Sequence, residues 1–371
     1  MGKFRALHMP LANNCSGVTQ YVLEHWQFIN KERFIFDFAT RSSVLDFEDK
    51  LVVQGCKVHR YSVNSLTCPH VFKQELNTIM DNGYDAVHLH TSYWNGTIAE
   101  EVAMELKIPK IIVHSHNTGV LSNEENWASL NAKHEEIKAS FAADYKKLAT
   151  DLWACSSLAA DWLFDSSIPR PEIKILHNGI DTQKFAYNLA MRQSIREKLG
   201  LTDAFVIGHV GRFAYQKNHE FLIRAFSLFA GKCSKARLIL IGDGELLDGT
   251  KALVQQYGLH EKVLFLGRRD DVANLMQAMD VFALPSRFEG LGTVLVEAQA
   301  SGLHCMVSDK IPVEANITQK LKYLPLSETL WCSELMELSK KCERYNGVNL
   351  VKFAGYDVKD SASKLEQLYL N

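Results

Sequence analysis

Short apolar, β-branched runs alternate with segments of helical period along this chain, and the alternation completes one series and then begins again. The first series predicts strands at 4–9, 34–40, 57–62, 85–91, 110–116 and 151–156, with helices at 19–30, 70–82, 97–107 and 123–148 between them. The second predicts strands at 205–210, 236–242, 262–267, 280–285, 304–308 and 321–325, with helices at 218–230, 246–257, 272–279, 292–301 and 327–342. Regular strand–helix alternation implies parallel sheets covered by helices. The strands read as nearly continuous apolar runs, as a sheet buried on both faces requires. Two doubly wound α/β domains follow, joined near 178–198, where Gly179 and a charged helix separate the series. A length of 371 residues agrees, being long for one ordinary core. Ligands of such sheets bind beyond the carboxyl ends of the strands, and two such edges facing each other make a cleft. The informative residues are therefore those just after strands.

Composition closes off several classes. A formal net charge of -2 with 23% charged residues carries no nucleic-acid footprint, which would make a domain or face clearly basic. The longest apolar runs, such as 238–241, fall far short of the about 18 residues a membrane span needs. At the start, His8, Pro10 and Asn13 interrupt any apolar signal segment, so a cytoplasmic protein is expected. The eight cysteines stand far apart without a Cys-x-x-Cys pair, which fits reduced thiols rather than zinc or disulfides.

Five stretches follow predicted strands. Arg287-Phe288-Glu289-Gly290-Leu291-Gly292-Thr293 leads into a helix carrying Glu297, with seven residues between the two glutamates. A helix amino end with unpaired amides suits a phosphate. Glu289 on the loop can hydrogen-bond sugar hydroxyls, and Glu297, about one turn in, can meet a ribose. The same letters also fit a glycine-rich turn with two solvated carboxylates. Gly211-Arg212-Phe213-Ala214-Tyr215-Gln216-Lys217-Asn218 places a guanidinium fork and an ammonium where they can neutralise a diphosphate. Gly242-Asp243-Gly244-Glu245 fits either close backbone approach to a nucleotide or a plain tight turn. His114 and His116 alternate by two and share a strand face, so either fits a satisfied core histidine, while His116, nearer the strand end, is the one that fits a place at the cleft. No carboxylate or cysteine stands beside them at ligand spacing, so no metal is expected. In Asn13-Asn14-Cys15-Ser16-Gly17, Gly17 can bring an amide to a phosphate, and Ser16 equally fits an N-cap.

Taken together these stretches resemble the retaining glycosyltransferases of family 4, over nearly the whole chain. The Glu289…Glu297 stretch, the Gly211-Arg212…Lys217-Asn218 loop and His177-Asn178-Gly179-Ile180-Asp181 look like the family's markers. Ile111 to Asn117, Ser301 to Asp309, Ile311-Pro312 with Asn316-Ile317-Thr318, and Ala354-Gly355-Tyr356-Asp357 resemble the branch that builds bacterial capsular and exopolysaccharides. The resemblance implies a GT-B fold: an acceptor-side domain over 1–180, a donor domain over 181–355, and a last helix in 356–371 crossing back to the first domain. It implies a nucleotide diphosphate sugar of UDP or GDP type as donor, a saccharide or lipid-linked saccharide as acceptor, retention of configuration and no metal. Arg212 and Lys217 would hold the diphosphate, Glu289 the transferred sugar, Glu297 the ribose, and His116 a hydroxyl near the reacting centre. Gly17, Gly242, Asp243, Gly290, Leu291, Gly292 and Thr293 complete the donor side. Ser16-Gly17 stands where the family often has two adjacent glycines, and His304 where a proline is common. Tyr93, Trp94 and the helix from Trp127 to Lys147 are candidates to face the acceptor, although a core or plain surface place is the commoner one for each, and Lys146 and Lys147 are candidates to touch a membrane surface at the inner face of the cell membrane. The rival readings are a nucleotide-sugar epimerase or hydrolase and an inactive nucleotide-sugar-binding partner. The absent Gly-x-Gly-x-x-Gly turn disfavours a dinucleotide oxidoreductase.

Overall fold

The computed structural model describes residues 2–13, 17–119 and 124–371, the side chains of residues 124 and 125 excepted. In chain order the elements are β1 (Phe4–Leu11), α1 (Gly17–Phe28), β2 (Phe34–Thr40), α2 (Glu48–Val53), β3 (Val58–Arg60), α3 (Pro69–Met80), β4 (Ala86–Thr91), α4 (Ile98–Glu105), β5 (Lys110–Ser115), α5 (Glu124–Leu148), β6 (Asp151–Ala154), α6 (Ser157–Leu163) and β7 (Ile173–Ile175). The second series runs α7 (Leu189–Lys198), β8 (Phe205–Val210), α8 (His219–Ala230), β9 (Ala236–Ile241), α9 (Leu247–Gln256), β10 (Val263–Phe265), α10 (Val272–Ala278), β11 (Val281–Leu284), α11 (Thr293–Ala300), β12 (His304–Ser308), β13 (Leu321–Leu324), α12 (Glu328–Lys340), α13 (Val348–Phe353) and α14 (Val358–Leu370). Two compact units result: Met1–Gly179 with Val358–Asn371, and Ile180–Asp357.

Each unit is one parallel sheet. The first has strand order β3-β2-β1-β4-β5-β6-β7 and the second β10-β9-β8-β11-β12-β13. In each, the opening strand lies inside the sheet and the order reverses beside it, between β1 and β4 and between β8 and β11. That reversal is where doubly wound sheets bind ligands. The expected α/β class with two Rossmann-like sheets is thus the observed one. β3 and β10 are each three residues, shorter than their apolar runs, because an edge strand has a partner on one side only. Four short elements escaped the sequence pattern: α2, α6, β7 and α13, none longer than seven residues and so too short for a period to show.

The helices bury one stripe each. α8 turns Leu222, Ile223, Ala225, Phe226 and Phe229 onto the second sheet, in a core shared with Leu238, Leu240 and Trp331. α7 is tied to the second unit by Asp280, whose carboxylate takes Arg192, Arg196 and the amide of Val206. α14 buries Val358, Ser361, Ala362, Leu365 and Tyr369, and Leu365 and Tyr369 share the first unit's core with Tyr21, Val22 and Trp26 of α1. The last helix therefore completes the first unit.

Leu365→Ala removes a fully buried side chain and is expected to destabilise the first unit by about 2–5 kcal/mol. Of the six tryptophans, Trp26, Trp94, Trp127, Trp153 and Trp162 belong to that unit and only Trp331 to the other. Tryptophan fluorescence in urea therefore reads the first unit, and an unmoved midpoint would mean that α14 does not hold it.

Candidate functional site

In the second unit three adjacent strands, β9, β8 and β11, bring their following loops together. After β8 the chain makes one 3-10 turn, Tyr215–Lys217, and Asn218 takes a left-handed conformation with φ 55° before α8. This turn is stitched to the loop after β11. The Arg287 amide donates to the Gln216 carbonyl at 2.8 Å, Gln216 Nε2 donates to the Phe288 carbonyl at 2.9 Å, and Asn218 Nδ2 donates to the Pro285 carbonyl at 3.2 Å. The stitching carries Lys217 Nζ to 2.6 Å from Glu289 Oε1. Their side chains are only 15% and 7% exposed, so each charge depends on the other for its solvation. Gln216 Nε2 stands 3.4 Å from the other Glu289 oxygen.

The loop after β9 lies against the same turn, and glycine makes the approach feasible. A Cβ on Gly242 (φ 142°) would fall 2.1 Å from the Gly211 carbonyl oxygen, and one on Gly244 (φ 151°) 2.6 Å from that of Phe213. The Phe213 amide donates to the Asp243 carbonyl at 2.9 Å, and the Phe213 carbonyl accepts from Leu246 at 2.9 Å. Arg212 is exposed on this layer, with its Cγ beside Gly244, and Asp243 is exposed next to it. Gly290 and Leu291 are buried, whereas Gly292 (φ 77°) and Thr293 are half-buried and open α11, whose first turn has no side-chain cap. Glu297, half-buried, follows about one turn along.

Lys217, Glu289, Gly242, Asp243 and Gly292 are thus gathered at one sheet edge, with Arg212 on the rim. Two cations and an uncapped helix amino end at one edge can receive an anion. Sequence reading missed the bridging role of Gln216. It also missed Tyr215, whose ring lies 4.3 Å from the Arg287 guanidinium carbon. Both depend on a loop some seventy residues onward, which no local pattern registers.

In the first unit His116 directly follows β5 and is nearly buried, as is the His114 ring 4.0 Å away. They do not stand alone. Register pairs His8 of β1 with His88 of β4, and His90 of β4 with His114 of β5. With His25 of α1, six imidazoles lie in one dry cluster with Tyr21 and Tyr369. The signal available in the sequence was the shared period of two in His88-x-His90 and His114-x-His116 on neighbouring strands. Among the described residues, two trios bring one nitrogen per ring within 4.8 Å of each other: His8, His88, His90 and His90, His114, His116. Such trios could take a metal, and their donors come from across the sheet rather than along the chain. Trp94 does not face an acceptor: it is buried, stacks on Phe141 at 4.4 Å and donates to the Leu163 carbonyl at 2.7 Å. Trp127 is 38% exposed and Tyr93 half-buried. Gly17 is exposed at the start of α1, and the neighbouring candidates Asn14 to Ser16 lie outside the described residues.

Burial disfavours the charged imidazoles. It pushes His8 and His116 down to about 3 and His25 to about 4, with His88, His90 and His114 also well below the usual range. Unfolding frees these rings to take protons below about pH 6.5. The first unit should therefore be fully stabilised above that pH and lose about 1.4 kcal/mol per ring per pH unit as the pH falls from there toward the folded values. Urea titrations between pH 7.5 and 5 check this, and a midpoint that does not fall with pH would contradict the neutral cluster.

Residues 191–323 match the family described as Glycosyl transferases group 1. The chain is 34% identical over 314 residues to the putative glycosyltransferase EpsF of Bacillus subtilis (strain 168), covering 83% of this chain and 79% of that one. It is 28% identical, over 83% of this chain and 80% of the relative, to the UDP-Gal:alpha-D-GlcNAc-diphosphoundecaprenol alpha-1,3-galactosyltransferase of Escherichia coli. In fold it is similar to Anabaena Alr3699/HepE, solved in complex with UDP and glucose, with a TM-score of 0.79 at 17% identity over 99% of this chain and all of the other. Two Rossmann-like parallel sheets with these structural neighbours are the GT-B fold, and the chain belongs to the group 1 glycosyltransferases.

Proposed function

We propose that this glycosyltransferase moves a hexose from a UDP-sugar to a saccharide or lipid-linked saccharide acceptor, with retention, in the making of a surface polysaccharide. The observation that carries this reading is the layer formed by the loops after β8, β9 and β11, with Arg212, Lys217 and the opening amides of α11 at one edge. One relative, named for a UDP-galactose donor and a diphosphoundecaprenol-linked acceptor, supports the donor and acceptor classes. The anomeric carbon breaks its bond to the diphosphate and forms one to an acceptor hydroxyl oxygen. The diphosphate departs with the bonding pair, and Arg212, Lys217 and the α11 amides stabilise the charge it gains. Because fixed cations supply that charge, no metal is called for. Glu289 holds the transferred sugar, Glu297 the ribose, and Gly242, Asp243, Gly290, Leu291, Gly292 and Thr293 shape the nucleotide's bed, with Gly17 offering an amide from the first unit. His116 meets a hydroxyl of the reacting sugars. Peripheral membrane contact through Lys146 and Lys147 agrees with the exposure of both ammonium groups. No described helix is long and apolar enough to cross a membrane.

Lys217→Ala is expected to lower turnover by about 10²-fold or more, the scale of losing one transition-state charge contact. Near-normal turnover in steady-state assays would remove Lys217 from the reaction. In a thermal-shift panel run with chelator, UDP at about 100-fold its Kd should stabilise the protein by about 2.7 kcal/mol. The shift should vanish in Glu297→Ala, and a folded protein that no nucleotide diphosphate stabilises would favour the inactive-partner reading.

A further inference from the structure

The polar atoms of the buried histidine cluster join in single file. Nε2 of His116 lies 2.9 Å from Nδ1 of His90, and Nε2 of His90 lies 3.0 Å from Nδ1 of His8. Nε2 of His8 lies 3.2 Å from the Tyr369 hydroxyl, which lies 2.7 Å from Nδ1 of His88. Nε2 of His88 then reaches Nδ1 of His114 at 3.0 Å. All six residues are buried, and β1, β4, β5, the residue after β5 and α14 each contribute.

Desolvation keeps every ring neutral and the tyrosine protonated. A neutral imidazole has one N–H and one bare nitrogen, and a hydroxyl has one proton to give. Each link therefore needs a donor on one side and an acceptor on the other, and two arrangements satisfy all five links while also using the Tyr369 proton. In one, every ring carries its proton on Nε2 and donates in the direction from His116 toward His114. In the other, every ring carries it on Nδ1 and donates the opposite way, with the tyrosine proton reversed as well. Any mixture either sets two protons or two lone pairs face to face or, where His8 and His88 both donate to the Tyr369 oxygen, leaves the hydroxyl proton without an acceptor in the file, and an unmade hydrogen bond in a dry core is costly. Nε2 of His114 has no hydrogen-bond partner among the described residues, nor has Nδ1 of His116. Both end nitrogens are covered, so the file orients protons rather than conducting them, and Nδ1 of His116, just past the end of β5, meets a hydroxyl only once it is uncovered.

We propose that these five histidines share one tautomer through Tyr369, which makes Tyr369, on the last helix, the positioning residue that decides whether His116 offers a bare Nδ1 or an N–H to a sugar hydroxyl. The consequence for reaction rests on the role given to His116 above; the shared tautomer does not. With every proton on Nε2, His116 accepts a hydrogen bond from a hydroxyl. With every proton on Nδ1, it donates one.

Long-range nitrogen–proton NMR correlation on the full chain labelled with 15N-histidine distinguishes the protonated from the bare nitrogen of each ring, with ring signals assigned by single His→Gln substitutions. The five rings are expected to carry the proton on the same nitrogen, all Nε2 or all Nδ1. A mixture among them overturns the proposal, and this measurement needs no variant that might misfold beyond those used for assignment. Tyr369→Phe removes only the hydroxyl and cuts the file into His116–His90–His8 and His88–His114. The two groups are then expected to orient independently and the His116 ring signals to move. Unmoved His116 signals in that variant would remove Tyr369 from its assigned part. In the same variant kcat is expected to fall, by at most about 10²-fold, with KM for the donor unchanged. A uniform tautomer in the parent protein together with an unchanged kcat in the variant would keep the file and overturn instead the role given to His116.

Discussion

A parallel sheet covered on both faces has no wet surface along its strands, so its polar chemistry is pushed to the loops at their carboxyl ends. In the second unit this constraint is met by backbone touching backbone. The approach of Gly242 to Gly211 and of Gly244 to Phe213 leaves no room for a Cβ, so the loops after β8 and β9 form one layer. The loop after β11 is bonded to that layer through Gln216, Asn218 and Arg287. Arg212, Lys217 and Glu289 have defined places only because these three loops do.

The Lys217–Glu289 contact sets the energetics of that edge. Each of these nearly buried charges substitutes for the water the other has lost. An anion arriving at Lys217 would compete with a carboxylate already in place rather than meet a bare ammonium. A hydroxyl arriving at Glu289 would likewise meet a carboxylate that Lys217 and Gln216 already hold in orientation. Part of the binding energy is thereby exchanged between partners, which favours a ligand that engages both charges at once over one that engages either alone. The first unit solves the opposite problem. In its histidine file the buried polar groups are neutral rings, and all but the two end nitrogens are bonded to one another or to Tyr369 across neighbouring elements.

Much of this was legible in the residues. Strands β2, β8 and β12 fall where the apolar runs placed them, because a run buried on both faces needs nothing but its own letters to announce it. The loops carrying Arg212, Lys217 and Glu289 were legible for the same reason: they follow such strands. What stayed hidden depends on register. His8, His88 and His114 are far apart in the sequence, and nothing in any one stretch says that β1, β4 and β5 will lie side by side in that order. Trp94 takes the core place that is the commoner one for such an aromatic, since a residue just after a strand reads the same whether it meets a ligand or, as here, Phe141 and the Leu163 carbonyl. Gln216 was quoted within its motif, yet its partner Phe288 lies in a loop the motif does not contain.

The return of α14 has a bearing on how the chain is made. The first unit is synthesised first, yet it lacks Leu365, Tyr369 and the Ser361 hydroxyl 2.7 Å from His25 until translation has passed through the whole of the second unit. Domains ordinarily fold in the order in which they emerge from the ribosome. Here the unit that emerges later is the one whose strands and helices are contiguous, so it can reach its final packing while the earlier one still waits for its closing helix. During that interval the histidine-lined face of the first sheet lacks one of its covers.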